Sequence, residues 1–302
     1  MTPFKLGIVV LAHRDPDQVG RLLALLRHER VTVYLHIDRA SDVEQFRASL
    51  AAVRAPEIVW VRRFRTAWGR LGMVDAILAA AAQAVGDGCA QVMVISGHDL
   101  PLKPIDEIVA FAAVAGSASY IETFPFPVEH WLLGGTYRTE MYTFPVPFFG
   151  GIYTAFPRDQ TTYRVGRKQM PVVFALRTLA ALMPERRFPS YLQPYGGWMW
   201  WNLSSDAIEY VLRFTQEHPD YRRYHRFTQI PDEVFVQSIM AGSGYTGIVH
   251  NDDLRFVRWR RGSPHPEPLT VEDVPEMIAS GDLFARKFSP EQAPSVIEAL
   301  RG

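Results

Sequence analysis

Short apolar runs alternate with helix-patterned segments four times in the first 115 or so residues, and this alternation most constrains the fold. The runs are KLGIVVLA at 5–12, VTVYLHI at 31–37, EIVWVR at 57–62 and VMVI at 92–95. Each is strand length, and the first, second and fourth carry apolar residues at consecutive positions, as strands buried on both faces do. Between them, 15–29, 42–53, 70–85 and 104–115 space apolar residues as helices do, with Val19, Leu22, Leu23 and Leu26 on one face of the first and Asp15 or Asp17 as its predicted N-cap. The pattern predicts an α/β fold: a Rossmann-like, mostly parallel central sheet flanked by helices.

The rhythm changes after residue 118. SYIE at 119–122 reads as one more strand, and 124–195 is rich in Pro, Phe, Tyr and Arg without periodicity, as a functional loop or lid is. Helices are predicted over 204–217, 231–242 and 270–280, with a strand at 254–259. Without repeats, linkers or low-complexity tracts, 1–302 reads as a single domain with a first half, 1–118, and a second, 119–302.

Formal net charge is zero, which removes the footprint of a nucleic-acid binder. The single cysteine, Cys89, excludes a disulfide framework and a cysteine-based zinc site, and it suits a reducing cytoplasm. No window reaches the length of a transmembrane span, and the N-terminal apolar run lacks a signal-peptide pattern. A soluble, cytoplasmic protein is expected. GxxxxGK[ST], GxSxG and HExxH are all missing from the chain.

What remains are polar residues at strand ends, where open α/β sheets bind ligands. Asp38 closes LHID, Ser96, Gly97 and Asp99 follow the fourth strand in SGHDLP, and Glu122 ends YIE. Structural turns explain any one of these carboxylates; three on one sheet edge point to chemistry. Glu233, in IPDEVF, falls in the first turn of a predicted helix beside Asp232, where the dipole favours an ionised carboxylate. Arginines cluster at 62–70 and 255–261, and Arg286 and Lys287 lie in LFARKFS. Such local clusters suit a compact anion such as a diphosphate. Lys287, between Phe284 and Phe288, has the pattern of a packed stem with a directed charge. His13, His36 and His98 sit at strand ends but lack the spacing of a known metal site.

Seven segments in order resemble the core-2/I-branching β-1,6-N-acetylglucosaminyltransferases and the related peptide O-xylosyltransferases: VVLAHRDPDQVGRLLALL, LHIDRAS, TAWGRLGMVDAILAA, ISGHDLPLKP, GGWMWWNLSSDAIEYVL, IPDEVFVQSIM and LFARKFS. They span residues 9–289, and 124–190 matches poorly. The resemblance implies a GT-A-like glycosyltransferase fold and inverting, metal-independent transfer from a UDP-sugar. UDP-GlcNAc is the first choice of donor and UDP-xylose the second. No cofactor is implied. By the resemblance, Glu233 is the general base. Asp38, Ser96, Gly97, Asp99 and Lys287 bind the donor, with Arg260 or Arg261 as the arginine beside Lys287 and Arg258 as a further candidate. Glu122 binds the acceptor, and Trp198 is a wall residue there, as Trp131, Tyr137 and Tyr153 are candidates to be. The half 1–118 is then the nucleotide-sugar side and 119–302 the acceptor and catalytic side. A bacterial-type enzyme acting on a growing glycan or lipid-linked oligosaccharide, peripheral at the inner face of the membrane, is the expectation. Two other readings stay open: a non-catalytic nucleotide-sugar or glycan-binding module, and a metal-dependent transferase or hydrolase using Asp38, Asp99 or Asp252 and Asp253.

Overall fold

A computed structural model describes residues 4–145, 152–155, 170–259 and 266–301. The first half is built as the sequence predicts. Strands β1 (Leu6–Ala12), β2 (Val31–Ile37), β3 (Glu57–Trp60) and β4 (Gln91–Ser96) alternate with helices α1 (Pro16–Leu25), α2 (Val43–Leu50) and α3 (Gly72–Gly86). The short β5 (Leu100–Pro101), helix α4 (Ile105–Ala115) and β6 (Ser119–Ile121) follow.

The segment 124–195, expected to be irregular, contains regular elements. They are β7 (Phe124–Pro125), α5 (Thr136–Thr139), an antiparallel hairpin of β8 (Tyr142–Pro145) and β9 (Ile152–Ala155), and α6 (Met170–Leu182). The helix escapes periodicity because its outward positions are also apolar. Beyond it lie β10 (Tyr195–Gly196), β11 (Trp201–Ser204), α7 (Ser205–Glu217), α8 (Pro219–Tyr224), α9 (Phe235–Gly242), β12 (Val249–His250), β13 (Arg255–Val257), α10 (Val274–Ser280), β14 (Phe284–Arg286) and α11 (Ala293–Arg301).

The main sheet has seven strands in the order β12-β6-β11-β4-β1-β2-β3. All run parallel except β11, which is antiparallel to both neighbours. Strands from both halves share this one sheet. Because β4 and β6 both oppose β11, the carboxyl ends of β1, β2, β4 and β6 share one edge, so Asp38, Asp99 and Glu122 emerge on the same side.

Period-two alternation explains the continuous apolar runs. Leu6, Ile8 and Val10 of β1, with Met93 and Ile95 of β4, face α1, α2 and α4. Val9, Leu11, Val92 and Val94 face α3, α7 and α9. A smaller sheet, β13-β14-β5, packs with α10 and α11 through Leu100, Met277 and Phe288. It brings the LFARK segment against the turn after β4.

Two helix starts depart from expectation. Asp15 stands at the N-cap of α1 in left-handed conformation (φ 56°), but its side chain makes no capping bond and turns elsewhere; Asp17 lies within the helix. The predicted helix 231–242 is broken: Pro231–Glu233 form a 3₁₀ turn, Val234 departs from helical geometry (φ −135°), and α9 begins at Phe235.

Candidate functional site

Four turns meet at the carboxyl edge of the sheet. The first follows β4. Asp99 is fully buried and folds back on its own turn, accepting from the Ser96 backbone N–H (3.0 Å) and the Ser96 hydroxyl (2.5 Å). Gly97 is required there, since a Cβ would lie 2.8 Å from Val19. The remaining capacity of Asp99 receives Nε of Arg286 at 3.3 Å. Asp99 therefore shapes the turn and anchors a cation arriving from β14.

Arg286 lies over the Trp200 ring at 4.3 Å, so the GGWMWW segment supplies its other support. Lys287 follows it, half-buried, with its pKa lowered by burial and then by the neighbouring Arg14 and Arg286 charges. His13 and His98 feel the Lys287 charge, and burial is the largest cause of the lowering of both. Nε2 of His98 is 2.8 Å from the carboxylate of Asp15, which explains where the unused cap side chain goes. The ends of β1 and β14 thus form a cationic cluster of Arg14, Arg286 and Lys287. A groove of about 480 Å³ opens alongside it, lined by His13, Arg14, Gln18 and Arg21 among others.

Asp38 ends β2 as a structural hub. It accepts from the Ala40 N–H (2.6 Å) and from both the N–H and the hydroxyl of Thr66 (2.5 Å each). Burial pushes its pKa up, but these donors outweigh burial and hold it below the ordinary value. Its two oxygens tie β2 to the 61–71 loop.

Glu233 sits in the 3₁₀ turn with its side chain 17% exposed, and Oε2 lies 2.5 Å from Nη1 of the buried Arg138. Arg138 is held in turn: its guanidinium stacks on Trp131 at 3.5 Å, and its Nε donates to the Tyr137 hydroxyl at 2.8 Å. The helix expected to begin at Pro231, with its dipole behind Glu233, does not begin there. The break at Val234 removes Glu233 from the helix, and burial raises its pKa despite the opposing pull of Arg138, Arg286 and His130. Its neighbour Asp232 is pushed up to about 7 by burial and by Glu233 itself.

Gly197 locks this turn to the end of β6. Its N–H donates to the Glu233 carbonyl at 3.1 Å, while a Cβ would stand 2.0 Å from the Glu122 carbonyl oxygen. Glu122 is pushed up by burial and then by Asp252, and its Oε2 is buried without a hydrogen-bond partner. Asp252 and Asp253 turn their carboxylates to the Leu254 and Arg255 N–H groups, and burial raises Asp253 to about 7. Trp198 is half-buried and stacks on Trp259, 42% exposed, with centroids 5.1 Å apart. Together they form a flat apolar wall.

The structure thus draws Glu233, Arg286 and Asp99 into one electrostatic neighbourhood and places Lys287 beside it. Arg258 is engaged by Asp273 and Glu276. Arg260 and Arg261 lie outside the described residues, as does the Tyr153 side chain. His36 is separate: its Nε2 accepts from the Phe64 N–H, and burial takes its pKa down to about 4. Among the described residues, no group of three or more His, Cys, Asp or Glu side chains converges to hold a metal ion. Arg138 was invisible in the sequence, being one of several arginines in an aperiodic stretch. Arg286 was visible only as the neighbour of Lys287.

The fold is a mostly parallel α/β sheet whose carboxyl edge carries a carboxylate–guanidinium pair and, near it, a cationic cluster, the kind of edge at which such sheets hold ligands. The core-2/I-branching enzyme family model matches residues 8–142 and 153–280, and the chain belongs to that family. It is 25% identical to the beta-glucuronosyltransferase GlcAT14B of Arabidopsis thaliana, over 92% of this chain and 61% of that protein. It is 21% identical to xylosyltransferase 1 of Rattus norvegicus, over 86% of this chain and 28% of that protein. The chain therefore spans less than two thirds of these relatives. Among solved structures it is similar to mouse xyloside xylosyltransferase 1 in its apo form, with a TM-score of 0.42 and 11% identity over 96% of this chain and 98% of that one.

Proposed function

We propose that the protein is a glycosyltransferase that moves a sugar from a UDP-sugar to a glycan hydroxyl with inversion. The observation that carries this reading is Glu233: a buried carboxylate, raised in pKa and oriented by Arg138, at the sheet edge where Arg286 and Lys287 gather positive charge. The acceptor hydroxyl gives its proton to Glu233 as its oxygen bonds to the anomeric carbon. The bond from that carbon to the diphosphate oxygen breaks, and UDP leaves with the electron pair. A base whose proton affinity is raised toward working pH suits this step. Lys287, flanked by Arg286 and Arg14, takes the developing diphosphate charge, with Arg260 or Arg261 as the further partner. Preorganised cations of this kind contribute a few kcal/mol, and the reaction on this reading needs no metal. Asp38, Ser96, Gly97 and Asp99 form the donor side, and Glu122 with the Trp198–Trp259 wall forms the acceptor side.

The relatives' names support UDP-xylose and UDP-glucuronate as donors beside UDP-GlcNAc. The acceptor is a surface glycan or lipid-linked oligosaccharide, met at the inner face of the membrane. The test is incubation with each of the three donors and a panel of glycan and lipid-linked acceptors. Product from one donor, with the new bond opposite in anomeric configuration by NMR, is expected. Retention of configuration removes Glu233 as the single base, and binding of UDP without product favours a binding module.

A further inference from the structure

Trp131, by sequence a candidate wall for an acceptor, is only 8% exposed in the structure. Its ring covers the guanidinium of Arg138, 3.5 Å from the ring centroid and itself 4% exposed. A cation over an indole face is held most strongly where both are shielded from water.

The ring is fixed from several sides. Phe124 and Phe126 meet it edge-on, at interplanar angles of 84° and 73° and centroid distances of 5.1 and 5.7 Å. Two glycines leave the slot open: a Cβ at Gly196 would stand 2.6 Å from the ring, and one at Gly135 2.9 Å. The backbone is closed around it, with the Trp131 N–H donating to the Val128 carbonyl (3.1 Å) and the Gly134 N–H to the Trp131 carbonyl (3.0 Å). Trp131 also packs with Val234, the residue after Glu233.

The polar contacts of the Arg138 side chain leave it a freedom that this ring removes. Nη1 meets Glu233 at 2.5 Å, and Nε donates to the Tyr137 hydroxyl at 2.8 Å. Guanidinium donors act in the plane of the group, so they fix its direction and leave its tilt free. A flat ring against its face fixes the tilt. We propose that Trp131 is a positioning residue: by fixing the plane of the Arg138 guanidinium, it keeps that charge on Glu233 and so sets the strength of the base. The consequence for transfer rests on Glu233 being that base; the positioning itself does not.

The charged and titratable groups facing Glu233 are Arg138, Arg286, His130 and its neighbour Asp232. Arg286 is held separately by Asp99 and Trp200, and His130 also packs on Phe124. Loss of the Trp131 ring therefore acts first on Arg138. Arg138 opposes the upward push of burial on Glu233, and a displaced guanidinium opposes it less. Leucine in the slot keeps it apolar while removing the ring face.

The test is an NMR titration of the full chain labelled with ¹³C at the glutamate carboxyls, the Glu233 signal being assigned by its loss in E233Q. Wild type is compared with W131F, W131L, R138A and W131L/R138A, and thermal unfolding checks that each variant folds. The midpoint of Glu233 is expected to move to higher pH in W131L and less far in W131F, since phenyl is the weaker cation-binding face. W131L/R138A is expected to titrate as R138A does, because Trp131 acts through Arg138. In transfer assays the acid limb of kcat/KM is expected to follow the same order, with donor KM near wild type. A Glu233 midpoint that stays in place or falls in folded W131L overturns the proposal, and W131F decides alone if W131L does not fold. A further shift on adding W131L to R138A overturns it too. The titration needs no turnover, so absence of product removes the transferase reading and leaves this test standing.

Discussion

The Arg138–Glu233 pair sets the chemistry at the scale of single residues. Two charges so deeply placed are costly to separate, and removing one partner of a buried pair costs about 3–5 kcal/mol. Glu233→Gln keeps the shape but removes the proton acceptor. It is expected to lower turnover by about 10²- to 10⁴-fold while UDP affinity by calorimetry stays near wild type. Arg138→Ala carries a signed pH effect. Burial raises the Glu233 pKa and Arg138 opposes it, so removing the guanidinium raises that pKa further. The acid limb of kcat/KM is then expected to move to higher pH, which a rate profile reads directly. A limb that stays in place means another group titrates there.

Joints between elements carry the next set of constraints. Gly197 joins the end of β6 to the turn carrying Glu233, and a methyl group there has no room beside the Glu122 carbonyl. Gly197→Ala is expected to lower stability by about 1–3 kcal/mol, read by denaturant unfolding, and to lower activity with it. Asp38 is the joint between β2 and the 61–71 loop. Its folded pKa lies below the ordinary value, so its contribution is present at neutral pH and fades as pH falls through and below about 4. Asp38→Asn is expected to unfold at lower temperature than wild type at pH 7, with the gap narrowing in acid. The strands that these joints connect were legible from sequence, because burial on both faces forces continuous apolar runs. The break at Val234 was not, since PDEVF reads equally well as an unbroken helix start. Helix α6 was hidden for the opposite reason: its apolar residues point both inward and outward, so no period stands out.

For the whole molecule, the sheet edge unites what the sequence separates by more than a hundred residues. Asp99 meets Arg286, and Gly197 joins the turn of Glu233 to the end of β6. The carboxylates at strand ends were readable because parallel topology dictates their common edge. Arg138 and the Arg286–Trp200 stack were not, because they depend on how the aperiodic sequence of 124–195 and the small second sheet fold back. The central claim is that a carboxylate base and fixed cations, rather than a metal, drive transfer from a UDP-sugar. The most direct measurement is release of UDP from UDP-xylose, UDP-glucuronate and UDP-GlcNAc in the presence of EDTA, comparing wild type with Glu233→Gln and Lys287→Ala. The prediction is slow release from one donor by wild type, unaffected by EDTA and lost in both variants. Release that requires added Mn²⁺, or that survives intact in Lys287→Ala, contradicts the claim.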